Sequence, residues 1–159
     1  MKKADKKWII LAIVAVVLWT MFIWGNSIVP GPKSNQMSDH VIAKISPCMG
    51  WLKLTAKQWD YFVRKAAHMT EFGILGVLWC ALLSQCISHT WKLPFMSLGI
   101  CFLTACIDET IQIFTGRTSM FKDVCFDSAG ALIGTCLFIV IGYCILHHRI
   151  ESTDISSIS

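Results

Sequence analysis

The residues of this chain that could do chemistry fall in three short blocks: "RKAAHMTE" (64–71), "DETIQ" (108–112) and "RTSMFKDVCFD" (117–127). Histidine titrates near neutrality, so His68 can act as a general acid or base. Glu71 or Asp108 could orient it or share its proton, and Glu109 and Asp123 complete the acids that are candidates for catalysis. Arg64 and Arg117 carry planar forks suited to a phosphate or carboxylate head group. Lys65, Gln112 and Asp127 join them as candidate substrate-binding groups. One histidine among several carboxylates would favour a hard divalent ion such as Mg²⁺ or Mn²⁺ over zinc. The spacing singles out no ligand set, however, and the equal number of basic groups argues against a metal. The expectation is no metal ligand and no cofactor.

These groups lie in oily surroundings. The 159 residues are 55% hydrophobic and 15% charged, more apolar than a soluble core of this size needs. A carboxylate near the middle of a membrane helix costs roughly 2.5 to 3.5 kcal/mol on insertion scales. Asp108 and Glu109, within the apolar run from Leu93 to Phe114, therefore need partners.

Four apolar windows, at about residues 8–24, 63–87, 93–114 and 128–146, each approach the ~20 residues that cross a bilayer as a helix. The expected fold is all-α: an integral membrane four-helix bundle forming a single domain over 1–149, with a short disordered tail at 150–159. The first window follows Lys2, Lys3, Lys6 and Lys7 and lacks a small-residue cleavage site, so it reads as an uncleaved anchor. That basic cluster places both termini in the cytoplasm. The remaining charges do not help, because the inner segments hold six Lys and Arg and the outer ones eight.

The first outer loop opens "NSIVPGPKSNQ", a turn-rich stretch expected to break helix. Beyond Ser38, the spacing of Val41, Ile42, Ile45, Met49 and Leu52 suggests a short helix on the membrane surface, interrupted by Pro47. Thr55 and Gln58 form a capping box, so the second long helix should begin there.

At 100° per residue, Arg64, His68 and Glu71 fall within about 60° of arc on one helix. Thr104, Asp108 and Gln112 share about 80° of another, with Glu109 turned about 100° away. On the last helix Asp123, Asp127, Gly130 and Gly134 align, and Gly130-x-x-x-Gly134 suits close helix contact. The start of the second span, the end of the third and the start of the fourth must share one membrane face. Asp108 lies six residues before Phe114, about 9 Å along a helix. The three blocks should therefore meet in one polar pocket in the outer half of the bundle.

Several classes are excluded or disfavoured. The net charge of +4 is scattered over loops without a basic, aromatic-rich stripe, which argues against nucleic acid. The eight cysteines form no C-x-x-C pair, and a Cys48–Cys125 disulfide is not favoured. Four spans without an inverted repeat do not suit a secondary transporter.

"RKAAHMTEFGILG" followed by "DETIQIFTGRTSMFKDVCFDSAGALIG" resembles the VanZ-like family of small bacterial membrane proteins. The family pattern is an R-K-x-x-H-x-x-E block, then D-E-x-x-Q-x-F, an arginine, and D-V-x-x-N/D-x-x-G-x-x-x-G. The shared positions are Arg64, Lys65, His68, Glu71, Asp108, Glu109, Gln112, Arg117, Asp123, Gly130 and Gly134. Phe72 stands where tyrosine is frequent, and Asp127 where asparagine or aspartate occurs. The resemblance covers about Phe22 to Gly134. It implies a role in the cell envelope connected with susceptibility to lipoglycopeptides of the teicoplanin type.

Four roles for the charged groups stay open at this level. They are ion pairs such as Arg64 with Asp108 that register the helices, acid–base chemistry on a lipid-linked or amphiphilic substrate, a metal-assisted variant of that chemistry, and binding of an envelope lipid without turnover. The sequence fixes no oligomeric state.

Overall fold

The computed structural model of the protein describes residues 5–48, 54–87, 91–117 and 121–158. Among these, five helices and no strands occur: α1 (Lys6–Ile28), α2 (Gly31–Ile45), α3 (Ala56–Cys86), α4 (Lys92–Phe114) and α5 (Phe121–Ile158). Four are long and apolar enough to cross a bilayer, at Lys6–Ile28, Ala56–Cys86, Lys92–Phe114 and Phe121–His148. An all-α membrane bundle is the fold that the apolar windows predict.

Local sequence sets the helix starts. Asp5 caps α1 by accepting from the Lys7 amide at 3.1 Å. The Thr55 backbone amide donates to Gln58 Oε1 at 2.9 Å, and the Gln58 amide donates to Thr55 Oγ1 at 3.4 Å, which completes the capping box ahead of α3. Beyond the cap, the first turns of α3 precede the apolar window that begins near Val63.

The first loop departs from expectation. The stretch containing Pro30 and Pro32 is not a helix breaker: Pro30 is the N-cap of α2 and Pro32 lies in its first turn. An amide there has no acceptor within the helix, so a proline sacrifices nothing. The short second helix therefore starts at Gly31, well before Ser38, and ends at Ile45 before Pro47. Met49 and Leu52 of the expected pattern, and Lys2 and Lys3 of the basic cluster, lie outside the described residues. At the other end, α5 continues in helical form to Ile158, beyond the expected close of the last span near Leu146.

α3 is the centre of the bundle and packs most extensively on α5. The apolar core joins Ile23 of α1, Phe72 and Leu75 of α3, Cys101 and Ala105 of α4, and Val124 and Ala131 of α5. Glycines allow the tight α3–α5 approach. A Cβ at Gly130 would run into the Met69 backbone, one at Gly134 into that of Gly73, and one at Gly76 would stand 2.6 Å from the Ala131 carbonyl oxygen. Backbones this close gain dispersion contacts that lipid cannot replace. Deeper in the bundle, the Ser97 hydroxyl lies 3.2 Å from the Gly76 carbonyl oxygen and 3.3 Å from Thr135 Oγ1. Apolar side chains such as Leu11, Leu18, Leu103 and Leu137 remain exposed on the outer faces, as a helix surrounded by acyl chains requires.

Candidate functional site

The polar side chains gather at one end of the bundle, where the C-terminal end of α1, the first half of α3, the end of α4 and the start of α5 meet. α2 lies alongside α3 at this end. The meeting follows from the fold: α4 must end where α5 starts, and both pack on α3.

On α3, Arg64, His68 and Glu71 line one groove, as their shared arc predicts. Glu71 is held from α1. Asn26 Nδ2 donates to Glu71 Oε1 at 2.8 Å, while the Trp19 indole donates to the Glu71 carbonyl oxygen at 2.9 Å. Lys65 turns to α5 and pairs with Asp123, Nζ to Oδ1, at 2.7 Å.

On α4, Asp108, Glu109 and Gln112 are all buried. The Gln112 amide donates to Asp108 Oδ2 at 2.8 Å and to Glu109 Oε1 at 3.2 Å. The rotation of about 100° between the two acids does not expose Glu109, because the bundle encloses more than half of this helix end. His68 Nδ1 lies 3.9 Å from Asp108 Oδ2 and 3.7 Å from Asp127 Oδ1, so histidine and two buried carboxylates from α3, α4 and α5 converge.

Arg117 owes its position to the way α4 ends. Thr115 is the C-cap and Gly116 takes a left-handed φ of 71°. The Gly116 amide then donates to the Ile113 carbonyl at 3.2 Å, and that of Arg117 to the Gln112 carbonyl at 3.1 Å. This pairing is the Schellman motif. It turns the chain so that Arg117 Nη1 donates to the Asn26 carbonyl at 3.5 Å. Burial and the like charge of Arg64 work against the charged form of Arg117 and lower its pKa, while Asp108, Glu109 and Glu71 favour it.

One pairing left open by the sequence is corrected. Arg64 does not pair with Asp108. It lies 3.8 Å from Asp60, one turn earlier on the same helix and partly exposed. Buried Asp108 instead accepts at Oδ2 from a neutral amide one turn away, while its Oδ1 is buried without a hydrogen-bond partner.

A groove of about 300 Å³ opens beside these residues. Arg64, His68, Glu71, Asn26 and Arg117 form its polar part, and Phe22, Val29, Met37, Val41 and Val63 its apolar part. It shares Phe22, Val41, Val63, Ala67 and Glu71 with a largely apolar groove of about 470 Å³ between α1, α2 and α3. Lys65 and Asp123 line a further depression of about 500 Å³ with Lys57, Tyr61, Lys122 and Arg64, the last shared with the first groove. Asp108 and Asp127 stand behind His68 rather than in the first groove.

Asn26, Ser34, Ser38 and Trp19 were not predicted to take part, although the serines and asparagines of "NSIVPGPKSNQMS" were a visible signal. Gly116 was likewise missed. A glycine directly after a helix and before a functional arginine is the sign that could have found it. The eight cysteines are free, and Cys48 and Cys125 form no disulfide.

No curated protein and no solved structure matches this chain. A family model described as VanZ/LLP1 matches residues 12–142, most of the length, including all ten charged or amide residues singled out above. With four membrane-crossing helices arranged around those residues, the chain belongs to the VanZ/LLP1 family and is a membrane protein.

Proposed function

We propose that the protein works in the cell membrane as a binding site for an amphiphile with an anionic head group, and through that binding lowers susceptibility to lipoglycopeptide antibiotics. Both termini lie in the cytoplasm and the groove faces outward. One observation carries this reading: the groove with two arginines at its polar end runs into a second, largely apolar groove along α1, α2 and α3. A phosphate or carboxylate fits Arg64 and Arg117, and an acyl chain fits the stretch past Phe22, Val41 and Val63. Arg64 can turn to such a head group at little cost, because its pair with Asp60 is long and partly exposed. Membrane lipids or a lipid-linked envelope precursor have this chemistry.

The test is a pair of substitutions, Arg64→Ala and Arg117→Ala, expressed in a susceptible bacterial host with membrane abundance and teicoplanin susceptibility measured together. Loss of the protective effect at normal abundance supports the reading. Full protection by both variants sinks it.

A second reading, acid–base hydrolysis or transfer on the same substrate, is favoured by the position of His68. It lines the groove with Asp108 and Asp127 behind it, as a base with orienting carboxylates would.

A further inference from the structure

His68, Asp108 and Asp127 each present one donor atom, and the three lie within 4.8 Å of one another. We infer that they form a binding site for one divalent cation of the Mg²⁺ or Mn²⁺ class. The sequence did not single out this set, because its members stand on three different helices.

The spacing is the first argument. At 3.9 and 3.7 Å, His68 Nδ1 is too far from Asp108 Oδ2 and Asp127 Oδ1 for direct hydrogen bonds. Two donors on one ion at about 2.1 Å from it stand roughly 3 to 4 Å apart, the separation found here. The second argument is satisfaction. His68 Nδ1 and Asp127 Oδ2 are buried without a hydrogen-bond partner, and the Asp127 side chain is only 2% exposed, that of His68 11%. A cation between them would satisfy donors that the protein leaves unmet.

Charge gives the third argument. Lys65 makes its close contact with Asp123 and Arg64 with Asp60, while Gln112 brings a neutral amide to Asp108. Arg117 is shared among Asp108, Glu109 and Glu71. Asp127 nevertheless has three acids near it, Asp108, Glu109 and Asp123, against the one cation Lys65, an excess of negative charge that suits an ion of charge +2. One imidazole and two carboxylates, without thiolate, select the harder divalent ions. The ion would also clamp α3, α4 and α5 together. The inference does not depend on what occupies the groove, and its test requires no amphiphile.

Mn²⁺ alone is the probe. Full-length protein purified in detergent, stripped with chelator and titrated with Mn²⁺, is followed by electron paramagnetic resonance. One bound ion per chain is expected, with electron spin-echo modulation from an imidazole nitrogen, and the melting temperature should rise on binding. Mg²⁺ should displace the ion. His68→Gln should abolish the nitrogen modulation, and the near-isosteric Asp127→Asn should weaken binding at least tenfold. Asp127→Asn also serves should the histidine variant fail to fold. Absence of stoichiometric Mn²⁺ at millimolar concentration overturns the site. So does affinity unchanged in Asp127→Asn, or nitrogen modulation that persists in folded His68→Gln.

Discussion

Asn26 Nδ2 donates to Glu71 Oε1 across 2.8 Å, joining the last turns of α1 to the C-terminal end of the polar stripe on α3. The bond holds a carboxylate at the groove and fixes α1 against the helix that carries most of the site. Asn26→Ala should leave that partly buried carboxylate without its side-chain donor and destabilise the protein by about 1 to 3 kcal/mol. Asn26→Asp should cost more, since it sets a like charge beside Glu71. Thermal denaturation of the purified variants checks both. Equal stability of wild type and Asn26→Asp would remove this contact as a determinant of the fold.

Gly116 controls Arg117 through backbone conformation rather than contact, as nothing would lie within 4 Å of an added Cβ. Its φ of 71° costs a residue with a side chain about 1 to 2 kcal/mol. Gly116→Val should therefore weaken the C-cap of α4 and shift Arg117, while Gly116→Asn, which tolerates the left-handed region, should stay close to wild type. Melting temperatures in that order confirm the motif; equal values for valine and asparagine refute it.

The sequence made the four spans legible because composition reports burial in lipid directly, and the Thr55–Gln58 box fixed the start of α3 because capping is local. The stripe of Arg64, His68 and Glu71 was legible for the same reason: spacing within one helix determines its arc. Which residue pairs across helices was not. Arg64 finds Asp60 and Lys65 finds Asp123 because of the rotation of α3 against α5, which depends on how closely Gly130 and Gly134 let the backbones approach. α2 was misjudged because its prolines occupy the one helical turn where proline is favourable.

The close α3–α5 approach predicts a sharp positional contrast between glycines of α5. Gly134→Ala puts a methyl group into the Gly73 backbone, which cannot move aside as a flexible side chain could. It should cost about 1 to 3 kcal/mol or more and lower the folded yield. Gly142→Ala, with nothing within 4 Å, should be neutral or slightly stabilising. Fluorescence-detected size-exclusion of the two variants distinguishes them, and similar profiles would contradict the packing described.

Topology can be checked with accessible positions. Lys33 on α2 and Lys122 at the start of α5 lie on the same side of the membrane if all four long helices cross it. Single cysteines at these positions, in a background without the eight native thiols, should both react with an impermeant maleimide added to intact cells. Labelling of only one would rule out four crossings. Protection of both until the cells are lysed would keep the four crossings and reverse the proposed orientation.

His68 is where the proposed roles separate. It reaches the groove on one side and two buried carboxylates on the other. Glutamine keeps much of its size and can still donate and accept, but it cannot cycle a proton and is a poor substitute for imidazole at a metal. His68→Gln should therefore reach normal membrane abundance and lose the effect on lipoglycopeptide susceptibility, with a drop of at least tenfold in whatever protection the wild type gives. A histidine that serves only as a hydrogen-bonded part of the packing predicts the opposite pattern: a tolerated change, or a fall in abundance and protection together. Full protection at normal abundance would exclude proton transfer or metal ligation by His68 from the protective function. The effect would then rest on Arg64 and Arg117, which can hold an anionic head group without chemistry.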